Sequence, residues 1–260
     1  MYQTLSYQIK DQAAVITFTR PETLNPLDQV SGPELCQALE AAGADRAVRA
    51  IILTGQGRAF SAGGNVKAMR DYLADHPGQG ASPFFRLVVT CLNRSILAIR
   101  QAPKPVIAAV NGVTAGGGLG WVLASDLVLA APEARFDTAY IRIAACPDGG
   151  NTFFLPRLVG PWRAAELFFL GQSFSAEEGQ RFGLVSRLVE KDKLLDEALV
   201  LAADLARRSA PALARTKALL TASFDSSLAG QLEMERQGLL ASSDEPDFEA
   251  AIKAFFDRKK

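Results

Sequence analysis

Cysteine and histidine are scarce in this chain. Three cysteines, Cys36, Cys91 and Cys146, stand far apart in apolar or helical contexts. So sparse and odd a set fits a reducing compartment and small core residues rather than a disulfide framework. The single histidine, His76, lies in a loop-like stretch. One histidine and three scattered thiols supply no metal-ligand spacing, so a metal centre is not expected. A serine hydrolase fares no better: Ala59-Phe-Ser-Ala-Gly63 lacks the first glycine of a nucleophile elbow, and no Ser-His pair is supported.

Excess charge is lacking too. Basic and acidic residues number 28 each, so the formal net charge is +0 and gives no reason to expect nucleic acid as a partner. No run of 18 apolar residues occurs, and Met1–Lys10 lacks the basic start and apolar core of an export signal. The expectation is a cytoplasmic chain with no membrane partner. No Gly-Lys-Ser/Thr ends a phosphate loop. The run Gly116-Gly-Gly-Leu-Gly-Trp121 lacks the last glycine of a dinucleotide fingerprint, and Trp121 would block close approach. No nucleotide cofactor is expected.

What is present is an ordinary globular composition, 48% hydrophobic and 22% charged, over 260 residues. That length suits one large domain or one domain with a helical extension. Ala13–Phe18 reads as a strand, Leu27–Ala42 as a helix, and Ala50–Thr54 and Val106–Val110 as strands that each lead into a glycine loop and a helix. Asp126–Ala130, Ala134–Phe136 and Leu184–Val189 are further short strands. Residues Ala74–Pro83 form the most loop-like segment, readable as a flexible loop or as a lid over a site. From Leu194 the pattern is helical: Leu194–Ser209, Ala212–Phe224, Leu228–Ala241 and Phe248–Arg258. The division expected is a core over 1–193 and a helical region over 194–260.

Two glycine-rich stretches carry most of the information. Phe60-Ser-Ala-Gly-Gly-Asn-Val-Lys67 follows one strand, and Asn111-Gly-Val-Thr-Ala-Gly-Gly-Gly-Leu-Gly120 follows another. Glycine lets backbone amides turn toward a cavity, and the first amides of a helix have no intrahelical acceptor. Two such loops meeting at one point would form an oxyanion hole. Close helix–strand packing is the other reading of Gly116–Gly118.

Strand, spacing and residue order together resemble the crotonase family of enoyl-CoA hydratases and isomerases. The resemblance runs from about Tyr7 to the C-terminus and includes Pro21-Glu-Thr-Leu-Asn-Pro-Leu-Asp28 and Phe182-Gly-Leu-Val185. It implies an α/β crotonase (ClpP-like) spiral of ββα turns with a C-terminal helical trimerisation region. It implies an acyl-CoA thioester as substrate, with no cofactor beyond it, and a homotrimer or homohexamer. By the same resemblance the amides of Gly64 and Gly117 form the oxyanion hole. Arg58, Ala62, Gly63, Asn65, Lys67, Gly116 and Arg258 make up the substrate- and CoA-binding set, with Arg58 and Arg258 suited to CoA phosphates. Asn65 stands where the family usually has Asp and can still cap the following helix.

The departures matter as much. Family hydratases carry two glutamates that share a water, and those positions fall here on Gly120 and Tyr140. Two-glutamate hydration is therefore not expected. Asp148, in Cys146-Pro-Asp-Gly-Gly150, matches the catalytic Asp of family members that are not hydratases. In an apolar pocket its pKa would rise toward that of a useful general base. Pro-Asp-Gly is also a turn sequence, in which Asp bonds its own backbone. Tyr140 reads either as a donor to a substrate oxygen or as a wall of the pocket. The reading is an isomerase working through an enolate. The alternatives are a hydratase or hydrolase with a non-standard base, and a non-catalytic acyl-CoA binder.

Overall fold

After an opening hairpin, strands along this chain come in pairs whose members enter two different sheets. The structure is a computed structural model that describes residues 2–257. It opens with a hairpin of β1 (Leu5–Lys10) and β2 (Ala13–Phe18), turned by Asp11 and Gln12 in left-handed conformations. Helix α1 (Ser31–Ala44) precedes β3 (Ala50–Gly55) and β4 (Ala59–Ser61), which lead into α2 (Val66–Asp75) and α3 (Ser82–Gln101). The unit recurs as β5 (Val106–Val110), β6 (Val113–Ala115) and α4 (Gly117–Ala124). It recurs again as β7 (Leu127–Ala130) and β8 (Arg135–Asp137), followed by one 3-10 turn over Tyr140–Ile143. Then come α5 (Asn151–Val159), α6 (Pro161–Leu170), β9 (Ser173–Ser175), α7 (Ala176–Arg181) and β10 (Arg187–Leu188). The chain ends in α8 (Leu194–Ala206), α9 (Ala210–Ala222), α10 (Leu228–Ser243) and α11 (Pro246–Asp257).

One sheet has the order β1-β2-β3-β5-β7-β10 and is parallel apart from the first pair. The other has the order β4-β6-β8-β9 and is parallel apart from the last. The larger sheet is covered on both faces, which is why its strands read as unbroken apolar runs. Ile16, Ile51, Leu53, Ala108 and Val128 belong to the main core. Val15, Ile52, Ile107 and Leu129, one step out of phase, pack under Leu194, Ala198 and Ala202 of α8. Burying each Leu or Ile side chain contributes about 1.5–3 kcal/mol. Helix α8 thus covers the outer face of the larger sheet.

Three local readings differ from the sequence expectations. The β1 strand, part polar and half exposed, carries too little apolar alternation to stand out. Helix α1 starts at Ser31 rather than Leu27, because the Asp28 carboxylate accepts from the Val30 and Ser31 amides and the Leu27 amide donates to Gly63 O. The loop-like stretch shrinks to residues 76–81, since both its ends are helical. His76 closes α2, its Nδ1 2.9 Å from Tyr72 O and its ring stacked on Tyr72. Trp121 is fully buried, stacked on Phe18, and donates to Ser95 Oγ.

Candidate active site

The Pro21–Asp28 segment holds the first glycine loop in place. The Ala62 amide donates to Leu24 O, Leu27 N to Gly63 O, and Asn65 N to Leu27 O. Burial alone would raise the Asp28 pKa, but the Arg20 ion pair and the Ser31 and Val30 amides outweigh it and hold the carboxyl at about 2. Asn65 accepts from Ala68 N as the N-cap of α2, and its Nδ2 lies 3.4 Å from Asp28 Oδ2. A carboxylate at 65 would face that charge, so the amide is the compatible side chain here.

The two glycine loops meet. Gly63 has φ +80°, and a Cβ there would stand 2.6 Å from Ala115 O and 3.4 Å from Gly116 Cα. Gly118 has its own reason, since a Cβ would lie 2.6 Å from Ser61 O. The packing reading of the triple glycine therefore holds for Gly118, while Gly116 and Gly117 open onto a cavity. The amides of Gly64 and Gly117 have no acceptor among the described residues, and Gly117 is the first residue of α4. Two such donors suit an oxygen that gains negative charge.

The cavity measures about 690 Å³. It is lined by Ala62, Gly64, Gly116, Gly117, Tyr140 and Asp148, all six named in advance from the sequence. Apolar walls come from α2 (Val66 and Met69) and from α3 (Phe85, Val88 and Val89). Phe153 and Phe154 take no part in the lining and pack on each other. Ala139 and Ala144, both non-glycine residues at positive φ, bracket the 3-10 turn that carries Tyr140. Such strain costs about 1–2 kcal/mol per residue and is common at sites whose shape is fixed by function.

Tyr140 Oη donates to Asp148 Oδ1 at 2.7 Å. It is therefore more than a wall, and its proton is directed at the neighbouring carboxylate. Burial raises the Asp148 pKa, and the Tyr140 hydrogen bond offsets this only in part. Burial and the adjacent Asp148 charge raise the Tyr140 pKa strongly, so the phenol keeps its proton. Gly120 has no room for a side chain: a Cβ would stand 2.4 Å from Gly149 O.

Two residues escaped the sequence reading. Asn151 is fully buried behind Tyr140 and Asp148; an asparagine opening a helix just after Gly149-Gly150 was the available signal. Arg142 stands on the cavity wall, paired with Asp137 and Gly171 O. Arg58 and Lys67 are exposed and lie outside the cavity lining. Arg258 lies outside the described residues.

Paired strands thus bring two glycine loops together over an apolar cavity, with two amides placed to hold an oxygen that gains negative charge. A family model described as Enoyl-CoA hydratase/isomerase matches residues 8–260. A protein of Rhodobacter capsulatus named Probable enoyl-CoA hydratase is 36% identical over 99% of this chain and 96% of its own length. The 1,2-epoxyphenylacetyl-CoA isomerase of Escherichia coli is 31% identical over 100% of this chain and 97% of its own. A crystal structure of an enoyl-CoA hydratase from Bacillus anthracis superposes with a TM-score of 0.91 at 29% identity, covering 98% of this chain and 97% of that one. The chain belongs to the enoyl-CoA hydratase/isomerase family, within the crotonase superfamily, and has its fold.

Proposed function

We propose that this chain is an isomerase that moves a double bond, or rearranges a ring-derived acyl group, in a CoA thioester. One observation carries the reading. Asp148 is a carboxylate on the wall of an apolar cavity that also presents two amides without acceptors among the described residues, while Gly120 has no space for a second carboxylate. The name of the 31% identical E. coli relative supports the same chemistry.

For a 3-enoyl-CoA, the Asp148 carboxylate removes a proton from C2. The C–H electron pair moves into the thioester, whose oxygen becomes negative and is held by the Gly64 and Gly117 amides. Asp148, now protonated, returns the proton to C4, and the double bond comes to rest between C2 and C3. Tyr140 stays protonated and holds the carboxylate in place. The reaction needs no cofactor beyond the CoA of the substrate.

Arg58, Lys67 and Arg258 are proposed for the CoA side, where guanidinium and ammonium groups suit phosphate. Assembly into three or six copies is supported by apolar side chains left exposed on α10 and α11, among them Leu228, Leu232, Leu239, Phe248 and Phe256. A cytoplasmic location remains part of this reading.

Hydration is the second reading, favoured by the name of the 36% identical R. capsulatus relative. Incubation of the purified protein with a 3-enoyl-CoA in deuterated water, followed by mass spectrometry, separates the two. Conversion to the 2-enoyl ester supports isomerisation. Fast water addition to crotonyl-CoA with no such conversion would replace it with hydration, and tight ester binding without turnover would leave a binder.

A further inference from the structure

Asn151 lies outside the lining of the cavity yet touches both halves of the site. Its Nδ2 is 2.8 Å from Asp148 O, 3.0 Å from Tyr140 Oη and 3.2 Å from Gly116 O. The residue is 0% exposed, and its Oδ1 has no partner among the described residues. Two amide protons thus face three acceptors. The amide orientation is fixed by this, because a turned amide would set its oxygen against two carbonyls.

Two of those acceptors bear on the chemistry. The Gly116 carbonyl belongs to the peptide whose other end is the Gly117 N–H, and the described chain has no cis peptide bonds. In a trans peptide C=O and N–H point in opposite directions. Asn151, together with the Leu119 and Gly120 amides at 3.0 and 3.4 Å, holds this carbonyl and so turns the Gly117 amide away from Asn151. The Tyr140 oxygen accepts from Asn151 while its proton goes to Asp148 Oδ1. A hydroxyl that accepts a hydrogen bond becomes a stronger donor.

We propose that Asn151 is a positioning residue that fixes the Gly117 amide and the Tyr140–Asp148 pair as one unit. This rests on the reading of Asp148 as the base. Asn151 also takes up the space beside Gly120, whose Cβ would come 3.4 Å from Nδ2 as well as 2.4 Å from Gly149 O. The chain thus has a neutral donor in the ground a side chain at 120 would need. The titratable groups on the walls around Asp148 are Tyr140, Cys146 and Arg142, the last paired with Asp137. The walls supplied by α2 and α3 are apolar.

The test reads Asp148 directly, without turnover. Carbon NMR of protein labelled at aspartate carboxyls, with the Asp148 signal assigned by its loss in Asp148→Asn, gives its titration midpoint. In Asn151→Ala the midpoint moves up by about one pH unit, because Tyr140 donates less strongly. In Tyr140→Phe it also moves up, and adding Asn151→Ala to that variant moves it no further. With a 3-enoyl-CoA, Asn151→Ala lowers kcat about tenfold and leaves KM within about twofold. A folded Asn151→Ala protein with an unmoved midpoint overturns the proposal. If that variant does not fold, an unmoved midpoint in Tyr140→Phe overturns it equally. Unchanged turnover in Asp148→Asn would instead remove the base itself, whatever the midpoints show.

Discussion

Gly120 and Gly149 are in direct contact, so closely that a Cβ added to Gly120 would stand 2.4 Å from the Gly149 carbonyl oxygen. The turn carrying Asp148 has closed over the place where a side chain at 120 would go. The lack of a side chain at 120 and the position of the Asp148 turn are thus linked by packing.

Replacing Gly120 measures that closure. Alanine favours helix over glycine by about 1 kcal/mol, so in open space Gly120→Ala would stabilise α4. Here the clash dominates, and the expected result is a loss of about 1–3 kcal/mol in urea unfolding. A gain in stability would show that the turn yields, and that a glutamate at 120 has room after all.

The pH profile follows from Asp148. Its pKa is raised from 3.8 by burial, and the carboxylate is the form that takes the proton. The rate therefore climbs with pH through an ionisation above the ordinary aspartate range. Tyr140 contributes no basic limb near neutrality, since its pKa is raised as well. An acid limb at or below 3.8 in kcat/KM would contradict the burial argument.

Stability should respond in the opposite sense to activity. A carboxyl whose folded pKa is raised gives stability that is present below its unfolded value and lost as pH rises through the folded one. At neutral pH the ionised Asp148 is thus a burden on the fold. Asp148→Asn should unfold at a temperature no lower than the parent at pH 7, with its advantage shrinking toward pH 4. A lower melting temperature at pH 7 would mean that the charge is favourably placed.

Lys217 ties the outer helices to the core. It is 8% exposed, and its Nζ donates to Ile99 O, Lys104 O and the Asp126 carboxylate. Without Lys217, Asp126 keeps Arg100 at 3.8 Å and the Val106 amide, so the loss is mainly that of the buried hydrogen bonds to the two carbonyls, about 1–3 kcal/mol. Lys217→Met should lower stability by about that much and expose α9 to early hydrogen exchange. A change of less than about 1 kcal/mol would place the anchor elsewhere.

Much of this was legible in the sequence. Strands buried on both faces announce themselves as apolar runs, so β3, β5 and β7 were readable, and the glycine loops followed from residue type and order. Ala62, Gly64, Gly116, Gly117, Tyr140 and Asp148 do share one cavity wall. The half-exposed β1 strand was hidden because only its first residue is buried. The start of α1 at Ser31 is not encoded by the apolar pattern, because Leu27 is drawn into long-range bonds with the glycine loop and Asp28 turns to accept from the Val30 and Ser31 amides. Asn151 was invisible for the same reason. Its three acceptors belong to Gly116, Tyr140 and Asp148, brought together only by the fold.

The most direct test of the account is the turnover of a 3-enoyl-CoA to its 2-enoyl isomer by the parent protein and by Asp148→Asn. Asparagine keeps the shape and can still accept from Tyr140, so acyl-CoA affinity should stay within about threefold. The rate should fall by about a hundredfold or more, the usual contribution of a general base. Isomerisation at the parental rate in Asp148→Asn would contradict the central claim that this carboxylate moves the proton.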